Sequence, residues 1–370
     1  MLEILKQSNN PEICKPLVEA VIEKAKVFHQ KFGRKPAFME VCGSHTMALA
    51  RTGVKQCLKE YVNLISGPGC PVCVTDQRSI DAMIALAEGE DRIICTFGDM
   101  MRVPGSNKTL LDSKIAGKDI RVLYSPVDAV KIAEENPDKE IIFLGVGFET
   151  TIPILTLMVG EAENRAITNF SIWMTTKLVE PALRFLLNAG EVNLDGFLLP
   201  GHVSIVLGED SYQYLVDEYS ISGVITGFET AELLSGIYKG IELGLNGKIA
   251  IVNNHPAVVS KTGNQVIHQW FDKYLIECDE AWRGIGVIAN SGLDLKPEYD
   301  QFNAKKRFTV TVGEPRKTKC HCGEVIRGLI SPTECSLFGK ACQPMNPIGP
   351  CMVSAEGSCA AHYQYMRESF

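Results

Sequence analysis

Thirteen cysteines in 370 residues are the first chemical signal in this chain. Thiols act as nucleophiles, redox pairs or soft-metal ligands only in particular surroundings, so their placement matters more than their number. Three stand at two glycine-rich turns: Cys42 in Cys42-Gly-Ser-His45, and Cys70 and Cys73 in Gly67-Pro-Gly-Cys70-Pro-Val-Cys73. Six crowd the carboxyl terminus: Cys320, Cys322, Cys335, Cys342, Cys351 and Cys359. Cys14, Cys57, Cys95 and Cys278 are isolated and read as small hydrophobes.

Each group admits more than one chemistry. In Cys42-Gly-Ser-His45 a thiol and an imidazole lie three positions apart at an expected helix start. A helix N-terminus and a protonated imidazole both lower a thiol pKa, which favours thiolate. The same residues also read as a plain turn capped by Ser44. Cys70-Pro-Val-Cys73, after a strand and before a helix, has the spacing of a redox dithiol and equally of two ligands to one metal. The terminal cysteines are separated by 1, 12, 6, 8 and 7 residues. Two tight knuckles of a zinc ribbon are missing there, whereas ligands on separate wide loops suit an iron–sulfur cluster. Structural zinc is the alternative, and six thiols for four cluster positions would leave two for a redox disulfide.

These groups need a frame. Apolar residues recur at helical spacing over 11–33, and short apolar runs predict strands at 37–41, 61–65, 92–96, 122–124 and 141–146. Helices are expected at 79–89 and 126–136, and further strands at 171–174, 196–199, 223–226, 249–252 and 286–288. Alternating strands and helices, with continuously apolar strands, predict an α/β fold with mostly parallel sheets. Gly147-Phe-Glu-Thr150 recurs as Gly227-Phe-Glu-Thr230, each time after an apolar strand, which points to two related units. From Gly313 onward glycine, proline and cysteine dominate, as in a region held by something other than a large core. The expected division is an α/β domain over 1–165, a second over 166–310 and a small irregular cysteine domain over 311–370.

In open α/β sheets, sites gather at the carboxyl ends of strands. Besides the cysteines, Asp99 and Arg102, Glu149, Glu229, His202 and His255 fall at such ends. Asp99 could orient a ligand or pair with Arg102. Glu149 and Glu229 could serve as acid/base or positioning groups, or cap the helices that follow. A lone imidazole such as His202 or His255 is commonly just a hydrogen-bonding residue. A net charge of −7 with no Lys/Arg-rich block argues against nucleic-acid binding. No apolar run reaches membrane-spanning length, and Met1–Asn10 lacks a secretory apolar stretch, so a cytoplasmic, reducing location is expected.

Taken together, Cys42-Gly-Ser-His-Thr, Gly67-Pro-Gly-Cys-Pro-Val-Cys73, Thr96-Phe-Gly-Asp-Met, Arg102-Val-Pro-Gly, Gly147-Phe-Glu-Thr-Thr151, Pro200-Gly-His-Val-Ser204 and the terminal cysteine array resemble the HypD family of hydrogenase maturation proteins. The resemblance runs through almost the whole chain. It implies two α/β domains plus a [4Fe–4S] domain, and an assembly scaffold for the Fe(CN)2CO group of [NiFe]-hydrogenases rather than a conventional turnover enzyme. The implied partners are HypC in a stable complex, HypE delivering cyanide transiently, and the hydrogenase large subunit through HypC. The implied cluster ligands are Cys320, Cys335, Cys342 and Cys359, leaving Cys322 and Cys351 as a second thiol pair beside Cys70 and Cys73. Cys42 is the implied ligand of the transient iron, with His45 as a further contact and Asp99, Glu149 and His202 around it. Two other classes fit the same cysteines: an iron–sulfur thiol–disulfide reductase and a zinc-stapled interaction protein.

Overall fold

A computed structural model describes residues 8–366. The first seven residues of the Met1–Asn10 segment, expected to carry no secretory signal, lie outside the described residues. Among the described residues, eleven strands form two parallel sheets and one antiparallel hairpin. The first sheet has the order β2-β1-β7-β8-β9, from β1 (Ala37–Glu40), β2 (Asn63–Ser66), β7 (Gly196–Pro200), β8 (Ser222–Thr226) and β9 (Ile251–Asn253). The second has the order β4-β3-β5-β6, from β3 (Arg92–Thr96), β4 (Ile120–Val122), β5 (Glu140–Gly147) and β6 (Phe170–Thr176). All neighbours within both sheets are parallel. The α/β expectation therefore holds, as do the strand positions to within a few residues. β1, β7 and β8 are buried along their full length, as strands covered on both faces must be.

Chain order and strand membership differ from the simple division. Arg165 falls between β5 and β6, two neighbours in one sheet, so the strands do not part there. The whole second sheet is instead inserted between β2 and β7 of the first. The two Gly-Phe-Glu-Thr turns consequently belong to different sheets, one after β5 and one after β8.

A second correction concerns 286–288, expected as a strand of the parallel alternation. It begins β11 (Gly286–Leu295), which pairs antiparallel with β10 (Leu275–Trp282). The hairpin clasps the second sheet: Trp282 is fully buried against Phe148, and the Arg283 N–H donates to the Val74 carbonyl at 2.8 Å. Gly284 lies against Gly323 so closely that a Cβ on either would overlap the other's backbone. The hairpin tip thus sits between the Cys70–Cys73 segment and the terminal cysteines.

Close to the tip, Glu280 of β10 forms a buried ion pair with Lys177, the residue after β6, both side chains almost wholly excluded from water. Lys305 also approaches Glu280, at 3.4 Å. Removing one partner of a buried pair leaves an uncompensated charge. Lys177→Ala should destabilise the fold by about 3–5 kcal/mol. Urea unfolding of the purified protein checks this; an unchanged midpoint would make the pair dispensable.

No helix of the described residues is long and apolar enough to cross a membrane. The terminal region is made of short pieces, of which Cys322–Ile326 and Ser358–Tyr365 are α-helical. The latter packs on the helix Gly43–Arg51 that follows β1.

Candidate metal and thiol centre

Each parallel sheet has one place where the strand order reverses. In the first sheet the chain leaves β1 toward β2 on one side, while β7 lies on the other. The crevice between the carboxyl ends of β1 and β7 is where such sheets bind ligands. Cys42 ends β1 and His202 ends β7, and Cys42 Sγ lies 3.7 Å from His202 Nε2. The second sheet reverses between β3 and β5, whose ends carry Asp99 and Gly147–Thr151. A cavity of about 170 Å³ lies between the two sheets, lined by Cys42, His202, Gly69, Phe148, Thr150 and Glu356 among others.

Cys42 is the N-cap of the helix Gly43–Arg51, as the sequence predicts, but its thiol is not activated as expected. Burial, reinforced by Glu356, pushes the thiol up to about 12, against backbone N–H groups of His45 and Ser44 that pull the other way. His45 does not assist. Three residues past the cap, the helix turns its ring inward, where it is fully buried with Nε2 3.0 Å from the Gly227 carbonyl. Burial pushes His45 down to about 4, so it is neutral near pH 7. The imidazole beside Cys42 is His202, 160 positions away, also pushed down to about 4 by burial. A neutral imidazole is the form that binds metals.

Cys70 and Cys73 form a disulfide in this structure and are both buried. Their turn is laced to the Cys42 turn: the Gly43 N–H donates to the Gly69 carbonyl at 3.0 Å, and the Gly67 N–H to the Glu40 carbonyl at 2.8 Å. A Cβ on Gly69 would sit 2.3 Å from the Cys42 backbone, so only glycine allows this approach.

Glu149 is buried beneath the wall formed by Phe148 and Thr150. Its Oε1 accepts the Val179 N–H at 2.7 Å, Oε2 has no partner among the described residues, and burial pushes the carboxyl up to about 7. Glu229 takes the capping role: it accepts the Glu232 backbone N–H at the start of the helix Thr230–Leu245, and Glu232 reciprocates. Asp99 stands at the β3 end outside the Cys42 cavity and forms no ion pair with Arg102. His255 faces Glu232 at 3.5 Å rather than the cavity.

All six terminal cysteines line one further cavity, walled by Leu337, Phe338 and Met352. Cys322 contacts both Cys320 and Cys351, and Cys351 also contacts Cys359. These S–H···S contacts hold Cys322 well below the ordinary thiol value and raise Cys320 and Cys351. Gly349 makes room for Cys320 Sγ, which a Cβ there would meet at 2.4 Å. Among the described residues no three His, Cys, Asp or Glu side chains converge as they stand on a single metal ion. The donor set is nonetheless all thiol, on separate loops and around one apolar-walled space, which fits an iron–sulfur cluster. Cys351 also lines a small cavity with Cys70, Cys73 and Glu356, so the two thiol groups share a wall.

The sequence reading missed Glu356 and Phe228. The Glu356 carboxylate accepts a hydrogen bond from Ser44 and lines both cavities. Its sole sequence signal is its place between Cys351 and Cys359. Phe228, inside the repeated Gly-Phe-Glu-Thr, packs against both His45 and His202.

The HypD family model, described as "Hydrogenase formation hypA family", matches residues 14–366. The Hydrogenase maturation factor HypD of Escherichia coli (strain K12) is 39% identical over 363 residues, 97% of this chain and 96% of that protein. The factor of the same name from Cupriavidus necator is 40% identical over 344 residues, covering 90% of this chain and 91% of its own. That of Rhodobacter capsulatus is 37% identical over 370 residues, 98% of each chain.

Proposed function

This chain belongs to the HypD family of hydrogenase maturation factors, and from that premise we propose that it is the scaffold on which the Fe(CN)2CO group of [NiFe]-hydrogenases is assembled. The observation that carries this reading is the Cys42–His202 pair at a strand-order reversal, facing a cavity beside a second, redox-capable thiol pair. A thiolate and a neutral imidazole are suitable donors for iron carrying cyanide and CO. The iron is cargo, held between Cys42 and a cysteine of HypC and passed through HypC to the hydrogenase large subunit. HypE brings cyanide as a thiocyanate on its own cysteine. The work takes place in the cytoplasm, without nucleic acid or membrane.

Releasing cyanide from a thiocyanate consumes two electrons. In dithiol form Cys70 and Cys73 supply them: two thiols and one alkyl thiocyanate give one disulfide, one free thiol and hydrogen cyanide. The S–CN bond breaks, the S–S bond forms, and the two thiol protons go to the HypE sulfur and to cyanide. A Cys70–Cys73 disulfide, the bond this pair forms here, would be the product of that step and would need re-reduction before another cyanide.

Cys320, Cys335, Cys342 and Cys359 would hold a [4Fe–4S] cluster, with Cys322 and Cys351 as a second thiol pair between it and Cys70–Cys73. When bound, the cluster supplies one-electron redox chemistry. Because the loops around it have little core of their own, ligation is a large share of their folding free energy. Cys342→Ala should therefore lose the iron–sulfur absorbance and increase proteolysis beyond Gly313. Full cluster content in that variant would remove Cys342 from the ligand set.

Genetic complementation tests the proposal. Introduced with its cognate HypC into cells lacking their own HypD, this chain should restore [NiFe]-hydrogenase activity. Soluble, well-expressed protein with no activity recovered would count against it.

A further inference from the structure

We propose that Phe228 is the positioning residue that fixes the His202 ring against Cys42; this deepens, and rests on, the reading of Cys42 and His202 as the donor pair. Among the described residues the His202 imidazole has one polar contact, Nε2 to Cys42 Sγ at 3.7 Å. Donor imidazoles are usually oriented by a hydrogen bond from their other ring nitrogen. His202 Nδ1 has no such bond to a described residue, which leaves ring packing as the orienting contact that the protein itself supplies.

Phe228 supplies that packing. Its ring centroid lies 4.7 Å from that of His202, with 31° between the planes, and 4.5 Å from that of His45, at 37°. The Phe228 ring thus touches both imidazoles, each at a tilt. One of them is anchored: His45 is fully buried and bonded to the Gly227 carbonyl. The other, His202, carries Nε2 to Cys42. One turn, Gly227-Phe228, therefore supplies both the carbonyl that holds His45 and the ring that holds His202.

The turn is itself held on both sides. It follows β8, whose last residue, Thr226, pairs with Pro200 of β7, just before Gly201-His202. It is closed on its other side by the reciprocal Glu229–Glu232 cap. A flat ring at Phe228 can contact both imidazole faces at once, in the offset and tilted arrangements aromatic pairs favour. A leucine keeps apolar contact but offers no such face, leaving His202 free to rotate about its side-chain bonds.

The test uses the full chain, purified anaerobically, with ¹³C-labelled histidine rings; the seven histidines are assigned by substitution. In the parent protein the His202 ring should give one sharp signal with a nuclear Overhauser contact to the Cys42 β-protons. In Phe228→Leu that contact should be lost and the His202 signal broaden, while His45, held by its hydrogen bond, stays sharp. Phe228→Tyr, which keeps the ring, should retain both. If Phe228→Leu does not stay folded, Phe228→Met serves in its place. A His202–Cys42 contact of full intensity in the folded Leu or Met variant would overturn the proposal.

Hydrogenase recovery in complemented cells is the second readout. It should fall about tenfold for Phe228→Leu, the scale of one aromatic pair, and be kept by Phe228→Tyr. A lost contact with undiminished recovery would uphold the positioning and remove the Cys42–His202 pair from function. A recovery that falls with the contact intact would overturn the positioning role.

Discussion

Cys42→Ala should abolish binding of the iron that carries cyanide and CO, while iron–sulfur absorbance stays at the parent level. Cys42 lies at the end of β1, and none of the six terminal thiols is touched by the change. HypC binding should also survive largely intact. One buried side chain is a small part of an interface of roughly 1,200–2,000 Å². The fold should tolerate alanine at this helix N-cap, since the Cys42 thiol makes no full capping hydrogen bond, only weaker contacts with the Ser44 and His45 N–H groups. The thiol pKa adds a pH dependence with a definite sign. A thiol held at about 12 is protonated at neutral pH, and iron must displace that proton. Loading should weaken as pH falls and strengthen as it rises, and the alanine variant should show no loading across the range. Infrared spectra of the variant complex check this. If Cys42 were a mere turn residue, its bands would match those of the parent.

Cys70→Ser and Cys73→Ser should each reduce hydrogenase maturation to background while the cluster and the thermal transition are retained. Serine replaces a buried sulfur with a smaller hydroxyl, so a modest stability loss is expected. The N–H of Cys73, which now donates to Cys70 Sγ at 3.2 Å, can be satisfied by a serine oxygen at position 70. What serine cannot do is cycle between dithiol and disulfide. The remaining thiol of either variant can attack a thiocyanate but cannot close the disulfide that completes a two-electron step. Maturation assays with parallel thiol counts decide the matter. Activity near the parent level in either variant would reduce the pair to a structural clip within the Gly67–Cys73 turn.

The fold was legible where burial dictates composition. β3, β5, β7 and β8 announce themselves as unbroken apolar runs because both their faces are covered. Strand order was not legible, since an apolar strand carries no mark of its neighbour, and nothing local shows that β3–β6 are inserted between β2 and β7. The β10–β11 hairpin escaped for the opposite reason. Much of Leu275–Trp282 and Gly286–Leu295 faces solvent, so neither run is continuously apolar.

The site followed the same division. The cysteine motifs stood out because chemistry restricts where thiols are useful. The partner of Cys42 did not, because His45 is near in sequence and His202 near only in space. Helix geometry carries His45 into the core, and sheet pairing of β1 with β7 brings in His202 instead. Glu356 is a lone carboxylate in a loop. Its reach to Ser44 arises only once the Ser358–Tyr365 helix packs on Gly43–Arg51.

If Cys42 and its surroundings hold iron bearing cyanide and CO, the bound iron has its own infrared signature. The most direct measurement is an infrared spectrum of this chain co-purified anaerobically with its HypC partner. Bands of iron-bound cyanide and iron-bound CO should be present in the complex, shift on ¹³C-cyanide labelling and vanish in Cys42→Ala. A complex with full iron–sulfur content and no such bands, isolated from cells actively maturing hydrogenase, would contradict iron binding at Cys42.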